Sequence, residues 1–563
     1  MARAGHAYPQ ADPHAAGLMD RRVLAVRRGT RVASGLGALE RAGATVLLVG
    51  PRAAVRQAEL ARAARWGLGG VDAAALAWQD LPVVAADTSE IAVRRLVRDG
   101  VPLALVRERG RVVGAIDGRA LGWARPALSV APRLEQPGDP ARETIAWLLR
   151  LAGKLGEAMG VAVWAAGGLV RDLLRDAGPL DVDLVVEGDG PAFARRLADE
   201  VRGQVTIHRA FGTASVENGR TVDGAPLPRV DVATARRERY AAPGALPSIE
   251  GAPLADDLLR RDFTINAMAV ALAPGAFGRL VDVVGGQRDL DRRRVAPLQP
   301  LSFVEDPTRI FRAARYVARL GFTLDAQGRR ALRLALDARA YPALSGTRLL
   351  AEIALALREP AGWRALALLL DWGAFRLWDR GVRGGAPLRE RLRAARRLLT
   401  WLGDGASTDD ALEVVVLAVL VGQPPGVGRR ALTRLGWGGG RGARLAEALA
   451  RGPRLAARLV TPGLPASAVA AAARGGPAQT VLAAWLVATP AARRRLQWFL
   501  REGRHAKPSL DAVSLIAAGI PRGPALGKML EALRDLRLDG GTAADEARYV
   551  QRERARHRKG ESA

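Results

Sequence analysis

Two glycines and two aspartates in one short stretch of the chain have the spacing of a site for a metal ion and a phosphate. Gly167 and Gly168 lie near the start of the stretch, and Asp181 and Asp183 lie near its end. Residues i and i+2 of a strand project from the same face, so the two carboxylates would stand side by side and repel each other. A divalent cation that prefers hard oxygen ligands, such as Mg²⁺, would relieve the repulsion. We therefore predict that Asp181 and Asp183 are metal ligands and catalytic residues of phosphoryl or nucleotidyl transfer.

The elements that must position these residues can also be predicted. Residues 161–166 are short and apolar, which favours a buried strand, and residues 169–175 follow as a helix. The N–H groups at a helix N-terminus favour an anion, so we expect Gly168 and Arg171 to bind a triphosphate. Residues 180–186 are predicted to be the strand that carries the aspartates. A double glycine or an Asp-x-Asp pair is often merely structural, but their order and closeness favour a functional site.

Further motifs follow in order. Residues 260–267 read Arg-Arg-Asp-Phe-Thr-Ile-Asn-Ala, residues 280–290 contain Leu-Val-Asp and Gly-Gln-Arg-Asp-Leu, and residues 305–309 read Glu-Asp-Pro-Thr-Arg. Together with Gly-Gly-x-Val-Arg-Asp and Asp-x-Asp, these motifs resemble the nucleotidyltransferase superfamily, and specifically the bacterial (class II) tRNA nucleotidyltransferase and poly(A) polymerase family. The resemblance implies a polymerase-β-like head followed by helices.

A stripe of arginines follows the last of these motifs. Arg309, Arg312 and Arg315 are three residues apart, so they share one slowly drifting helix face. Apolar residues on the other side predict a docked helix whose arginines face a cleft. Asp306 and these arginines have the hydrogen-bonding groups to read cytosine and adenine edges, although a helix N-cap alone would also explain Asp306.

The resemblance assigns roles to these and other residues. It implies that Asp306, Arg309, Arg312 and Arg315 belong to a nucleotide site that selects CTP or ATP with protein side chains alone. It implies that Arg261 contributes to the phosphate and base site. Asn266 would bind the sugar or hold a structural turn. Asp231, on an apolar, strand-like run, is a candidate third carboxylate. The alternative is a structural charged residue at the edge of a strand, which would give the same sequence pattern.

Composition narrows the class of protein. The 563 residues suggest three or four domains, since domains run to roughly 150 residues. The chain has no cysteine, which excludes disulfides and thiolate metal sites. The net charge of +28 favours a polyanion such as RNA, although GC-rich codon usage contributes part of the arginine excess. Neither a signal sequence nor a membrane-spanning run is recognised, so we expect a cytoplasmic protein without a membrane partner.

The region before the motifs contains an internal repeat. Residues 26–49 and 84–116 each run through an apolar strand, a helix and a pair of short strands, about 60 residues apart. The repeat resembles a degenerate tandem pair of cystathionine-β-synthase (CBS) motifs, which often bind adenine nucleotides, and the alternative is a structural or dimerising module. We predict a bound adenine nucleotide as a further partner of this module.

The expected fold class is α+β, with a CBS-like α/β module, a mixed-sheet nucleotidyltransferase head and an all-α neck, body and tail. After Phe322 the chain becomes Ala/Leu/Arg-rich with helical periodicity, and residues 507–537 resemble the family's tRNA-contacting C-terminal region. The expected divisions are disorder at 1–20, the CBS-like pair at 21–125, a linker at 126–142, the head at 143–290, the neck with the base-selecting helix at 291–360, the body at 361–500 and the tRNA-binding tail at 501–563.

The predicted function is Mg²⁺-dependent, template-independent addition of C and/or A to the 3′ end of tRNA, with ATP and/or CTP as substrates. Poly(A) polymerase and enzymes that add only CC or only A are close alternatives, and the CBS-like module leans towards A addition. A catalytically inactive RNA-binding nucleotide sensor is an alternative from another class, against which the intact Asp181 and Asp183 speak.

Overall fold

The computed structural model describes residues 14–98, 100–118, 128–135, 138–178, 181–338, 341–405 and 407–560. The chain divides into two compact units, Met1–Leu344 and Ser345–Ala563. In the described part of the chain the strands all lie in the first unit and the second unit is helical, which confirms the predicted α+β class. The predicted neck, residues 291–360, falls on both units.

Two copies of a strand–helix–strand–strand arrangement lie at the start of the first unit. After a short helix α1 (Ala15–Leu18), their elements are β1 (Val23–Ala25), α2 (Val32–Ala42), β2 (Val46–Gly50), β3 (Ala53–Arg56) and α3 (Gln57–Ala63), then β4 (Val83–Ala85), α4 (Glu90–Arg98), β5 (Leu103–Glu108) and β6 (Arg111–Asp117). In both copies the first strand is parallel to the second, and the second is antiparallel to the third. The structure therefore contains the predicted repeat, while its identity as a CBS pair stays a prediction.

The two copies share one apolar core. Its buried members are Val46, Leu48 and Ala54 from the first copy, Leu103, Leu105 and Ala115 from the second, and Leu81 between them. Residues 1–13 of the segment expected to be disordered lie outside the described residues. For residues 14–20 the expectation is wrong, because the Ala15 N–H donates to the Thr88 carbonyl at 2.8 Å and Ala15 is buried beside Val93. Burial of α1 against the second copy offsets the entropy of ordering it.

The head is built on one mixed sheet. In chain order its elements are α5 (Ala131–Leu134), α6 (Pro140–Ala158), β7 (Ala162–Ala166), α7 (Gly168–Leu174), β8 (Val182–Glu187), α8 (Gly190–Val201), β9 (Gln204–His208), β10 (Thr213–Glu217), β11 (Val230–Thr234), β12 (Arg236–Arg239), β13 (Ser248–Gly251), α9 (Leu254–Leu259), β14 (Met268–Ala271), β15 (Leu280–Asp282) and α10 (Gly286–Asp291). The sheet order is β15-β14-β7-β8-β11-β10-β9, and β12 pairs with β13 in a separate hairpin. Among the described strands of this sheet, β8 and β11 form the parallel pair and the other neighbours are antiparallel.

Helices cover one face of the sheet, and part of the predicted linker belongs to this core. Leu148 and Leu149 of α6 and Phe193 of α8 are fully buried against apolar strand residues. Val130 and Leu134, at i and i+4, are buried in the same core. The Val130 N–H also donates to the Gly278 carbonyl at 2.8 Å. Residues 128–135 are therefore part of the head.

The first unit ends in helices around a small strand pair, namely β16 (Arg294–Val295), α11 (Ser302–Glu305), α12 (Thr308–Leu320), β17 (Thr323–Leu324) and α13 (Ala326–Asp337). α12 is the helix predicted to carry the base-selecting residues. Its apolar side, with Phe311, Ala314 and Val317, is buried as predicted.

The second unit consists, in its described residues, of helices that follow one another closely. They are α14 (Gly346–Arg358), α15 (Gly362–Trp372), α16 (Ala386–Leu402), α17 (Thr408–Leu420), α18 (Val427–Arg434), α19 (Gly439–Arg458), α20 (Ala466–Arg474), α21 (Ala478–Val487), α22 (Pro490–Trp498), α23 (Ala512–Ala517), α24 (Pro524–Leu538) and α25 (Ala543–Gly560). None of the described helices in either unit combines the length and the apolar character that crossing a bilayer requires.

Candidate active site

The central parallel strand pair brings the predicted carboxylates together. Asp183 on β8 and Asp231 on β11 are register partners, so their side chains lie on one face of the sheet. Neighbouring strands are about 4.8 Å apart, which places the two carboxylates side by side. Asp181 immediately precedes β8 and is exposed, whereas Asp183 is half-buried. The candidate third carboxylate thus adjoins the predicted metal-binding pair. Leu180, the predicted start of the strand, lies outside the described residues.

The electrostatics of this face fit a cation. Burial raises the pKa of Asp183 to about 6; Arg261 opposes the shift, and the charges of Asp231 and Asp181 add to it. Crowded carboxylates with a raised pKa are the donor set that a hard divalent cation neutralises. Among the described residues, no group of three or more His, Cys, Asp or Glu side chains is arranged to hold a metal ion.

Asp231 is held by its neighbours on the sheet. Its Oδ1 accepts hydrogen bonds from the Ser215 hydroxyl at 2.6 Å and from Arg229 Nε at 3.0 Å. Ser215 is the register partner of Asp231 on β10, which explains the short contact. Sequence reasoning identified Asp231 but not Ser215 or Arg229. These bonds fix one carboxylate oxygen and so orient the group beside Asp183.

Gly167 occupies a backbone conformation that favours glycine. Its φ is 75° and its ψ is −127°, a combination that residues with a Cβ rarely adopt. A Cβ built at Gly167 would lie 2.8 Å from Arg261 Nη1 and 3.6 Å from Asp183 Oδ2. Gly168 has no positive φ, and its Cβ would meet only Arg171 Nη2, at 3.6 Å. The backbone conformation therefore requires glycine at position 167 and not at position 168, the position predicted to bind the triphosphate.

Arg261 is placed beside Gly167 by a buried carboxylate that sequence reasoning missed. Asp257 on α9 has no exposed surface and accepts from Arg261 Nη2 at 3.0 Å and from Arg260 Nε at 2.9 Å. Burial alone would raise the pKa of Asp257, but the two arginines outweigh it and hold that pKa below its usual value. The spacing i, i+3 and i+4 from Asp257 to the two arginines is the signal that could have identified it.

A second network joins α7 to α12 through the turn that follows Arg261. Arg171 Nη1 donates to Asn266 Oδ1 at 2.7 Å, and Asn266 Nδ2 donates to Asp262 Oδ1 at 3.1 Å. Arg312 Nε donates to Asp262 Oδ2 at 2.8 Å. Three predicted nucleotide-binding residues, Arg171, Asn266 and Arg312, are therefore connected. Arg171 is only 3% exposed and also donates to Asp172 at 2.9 Å, so its side chain braces the turn.

The other predicted residues of α12 differ in their surroundings. Arg309 is 5% exposed and donates to the Ser302 hydroxyl at 2.8 Å and to the Arg260 carbonyl at 3.0 Å. The expectation that the whole arginine stripe faces a cleft is therefore wrong for Arg309, because its guanidinium group is buried and donates to acceptors within the protein. Asp306 accepts from the Thr308 N–H at 3.0 Å, as a helix-capping carboxylate does. Arg315 lies half-buried on the same helix.

Comparisons with known proteins show which proteins the chain is similar to. Residues 163–296 match the poly A polymerase head domain. An A-adding tRNA nucleotidyltransferase of Geobacter sulfurreducens is 41% identical over 260 residues, which cover 46% of this chain and 29% of that protein. A CC-adding tRNA nucleotidyltransferase of Deinococcus radiodurans is 34% identical over 424 residues, covering 74% of this chain and 94% of that protein. The chain belongs to the tRNA nucleotidyltransferase family.

The solved structures of CCA-adding enzymes extend the likeness beyond the head. The apo form II structure of a CCA-adding enzyme has a TM-score of 0.66 and 28% identity, and it covers 76% of this chain and 99% of its own. The Thermotoga maritima CCA-adding enzyme complexed with tRNA_CCA has a TM-score of 0.60 and 27% identity, with 76% and 98% covered. The predicted family and its nucleotidyltransferase fold are thereby confirmed. The alignments with the first relatives in sequence span only 28 to 40% of those proteins' own lengths.

Proposed function

We propose that the chain is a template-independent, Mg²⁺-dependent nucleotidyltransferase that adds A and/or C to the 3′ end of tRNA. The observation that carries the proposal is the in-register pairing of Asp183 with Asp231, on the face of the sheet next to Asp181, Gly167 and Arg261. Carboxylates there can hold a divalent cation, and the neighbouring arginine and glycine turn can receive a triphosphate.

Each residue of this face then has a role. Asp181 and Asp183 would hold Mg²⁺, which when bound neutralises phosphate charge and lowers the pKa of an attacking hydroxyl. Arg261, held by Asp257, donates to the triphosphate over the Gly167 turn. Asp231, with one oxygen fixed by Ser215 and Arg229, stands beside the pair as a further ligand or as acceptor of the 3′-hydroxyl proton.

We assign base selection to the start of α12. Asp306 has an acceptor for an exocyclic amine, and Arg312 has donors for ring nitrogens and carbonyls. Arg309 supports this surface from the interior through Ser302 and the Arg260 carbonyl. Solved structures of CCA-adding enzymes include one with ATP and one with CTP, each 27% identical to this chain, which supports a site of this kind.

The test supplies the purified protein with three tRNA substrates: one that lacks the terminal CCA, one that ends in the first C and one that ends in CC. Each is incubated with ATP or CTP alone. Incorporation with Mg²⁺ is expected in the wild type, and Asp181→Asn with Asp183→Asn should abolish it while tRNA binding is retained. Asp223→Asn, an exposed carboxylate on the β10–β11 connection, is the control and should behave as wild type. Substantial residual activity in the double variant would refute the assignment of the two aspartates.

The products distinguish the alternatives. Addition of one A to tRNA ending in CC, with no C added to any of the tRNAs, indicates an A-adding enzyme. Addition of both C and A indicates a CCA-adding enzyme, and long A tails indicate a poly(A) polymerase. Binding of RNA and nucleotide without incorporation indicates the inactive sensor. Sequence relatives carry both A-adding and CC-adding names, so the choice rests on this assay. We place the reaction in the cytoplasm, where tRNA ends are accessible.

The adenine nucleotide predicted for the repeated module also remains a proposal. A cavity of about 320 Å³ lies between the second copy and the rest of the first unit, lined by Pro102, Gln327 and Arg330 among others. The buried Gln327 Nε2 there has no hydrogen-bond partner, which supports a ligand with acceptor atoms. Calorimetry with AMP would measure the number of nucleotides bound per chain. One AMP is expected at the module, because the active site is arranged for a triphosphate, and no bound AMP would leave the module structural.

A further inference from the structure

One arginine of the repeated module contacts the base-selecting region. Arg62, on α3, forms an ion pair with Glu305 at the end of α11. The same Nη1 atom of Arg62 donates to Gln299 Oε1 at 3.3 Å. Gln299 in turn donates to the second oxygen of Glu305. A side chain of the module therefore ends inside the segment that leads into α12.

Glu305 is the point where three parts of the first unit meet. Its side chain is 3% exposed, and its Oε2 lies 3.7 Å from Arg309 Nη1. Its backbone carbonyl accepts from the N–H of Gly244, in the connection between β12 and β13, at 2.8 Å. Burial raises the pKa of Glu305, while Arg309 and Arg62 oppose the shift. The two arginines thus share one buried carboxylate.

The position of the Arg309 side chain depends on Arg62, because both arginines contact Glu305. Arg309 now divides its donors among the Ser302 hydroxyl, the Arg260 carbonyl and the longer contact with Glu305. Without Arg62, Glu305 would be a buried carboxylate facing a single cation. Uncompensated buried charge is costly, so Arg309 would move towards Glu305 and away from Ser302. The turn that leads into α12 and contains Asp306 would shift with it.

We propose that Arg62 is a positioning residue for nucleotide selection, acting through Glu305 on Arg309, so that the repeated module contributes to the choice between ATP and CTP. The proposal rests on the proposed function of the site. It makes nucleotide selection depend on Arg62, a residue that lies outside all of the catalytic motifs.

The experiment compares full-length wild type with Arg62→Met, Arg62→Lys and the control Arg65→Met. Arg65 follows on the same segment and is exposed. For each protein, kcat and KM are measured separately with ATP and CTP, and the equilibrium affinities for both nucleotides are measured by calorimetry. Thermal unfolding verifies that the variants are folded.

We expect Arg62→Met to raise KM and weaken affinity for the preferred nucleotide about tenfold and to reduce the ATP/CTP discrimination, with a smaller effect on kcat. Arg62→Lys should recover part of the discrimination, and Arg65→Met should match wild type within about twofold, as surface changes usually do. Glu305→Gln should make the Arg62→Met change nearly silent, because the two residues act in one network.

Unchanged discrimination in folded Arg62→Met would overturn the proposal, as would an equal fall in kcat for both nucleotides. If Arg62→Met unfolds, Arg62→Lys is used instead, since it keeps the charge and alters only the geometry of the ion pair. Unchanged ATP/CTP discrimination in Arg62→Lys would then overturn the proposal. If wild type binds nucleotides without incorporating them, the proposed function fails, and the binding ratio still decides the role of Arg62.

Discussion

Replacing Gly167 by alanine should damage the active site, whereas the same change at Gly168 should not. Gly167 has a φ of 75°, and holding a residue with a Cβ in such a region costs about 1–3 kcal/mol. The new Cβ would also lie 2.8 Å from Arg261 Nη1, closer than the 3.4 Å at which ordinary contact begins. Arg261 must therefore move by several tenths of an ångström or more.

The expected consequence is a loss of both stability and activity. A destabilisation of 1 kcal/mol lowers the melting temperature by about 2–4 °C in a domain of roughly 150 to 250 residues. Because a misplacement of about 1 Å in a reacting complex can cost about 100-fold, we expect kcat/KM to fall about 10- to 100-fold. Gly168→Ala should leave kcat/KM within about threefold and raise stability by about 0.4–1 kcal/mol, since alanine reduces the entropy of the unfolded chain.

Differential scanning fluorimetry and initial rates of ATP and CTP incorporation measure both effects. The two variants have the same composition and differ by one position, so each is the matched control of the other. Equal melting temperatures and equal kcat/KM values in the two variants would refute the argument from the backbone of Gly167.

Three further predictions concern the surrounding charges. Asp257→Asn should lower the melting temperature by several degrees and reduce kcat/KM, because breaking a buried ion pair costs about 3–5 kcal/mol and frees Arg261. Fluorimetry and incorporation rates test this prediction, and wild-type values of both would contradict it. In metal-free protein, Asp183 has a pKa of about 6, above its unfolded value of 3.8, so its contribution to stability falls as pH rises from about 4 to 6. Asp183→Asn should therefore be stabilising in EDTA at pH 7 and less so at pH 5, and a difference independent of pH would contradict this. Tyr240→Phe, which removes an acceptor 3.3 Å from Arg309 Nη2, should weaken nucleotide affinity by about 1 kcal/mol in calorimetry while kcat changes little; an unchanged affinity would show that this bond does not support the site.

Much of the site could be predicted because its residues are local in sequence. The order strand, Gly167-Gly168, helix, Asp181, Asp183 depends on periodicity and turn chemistry, which act over a few residues. Asp231 was a candidate because it lies on an apolar, strand-like run, and the likeness to one family added roles for Asp306 and the arginines that follow it. The repeated strand–helix–strand–strand unit was predictable for the same reason, as each copy has its own apolar pattern.

The remaining features depend on contacts between distant segments. The burial of Asp257, the sharing of Glu305 by Arg62 and Arg309, and the bond from Ser215 to Asp231 arise only when separate elements pack. Periodicity correctly assigned the helix carrying Arg309 but not its environment, because a charged residue looks solvent-facing until its acceptors are known. The helix at residues 15–18 was missed because a four-residue apolar segment has no periodicity of its own.

The pairing of β8 with β11 sets limits on how this family can vary in length. Residues 218–229, which connect β10 to β11, can gain or lose residues without separating Asp183 from Asp231, because the paired strands themselves keep their register. A single insertion inside β11, between Val230 and Asp231, would instead turn the carboxylate to the opposite face of the sheet. Homologous chains should therefore tolerate insertions in the connection between β10 and β11 and exclude them from the strands themselves.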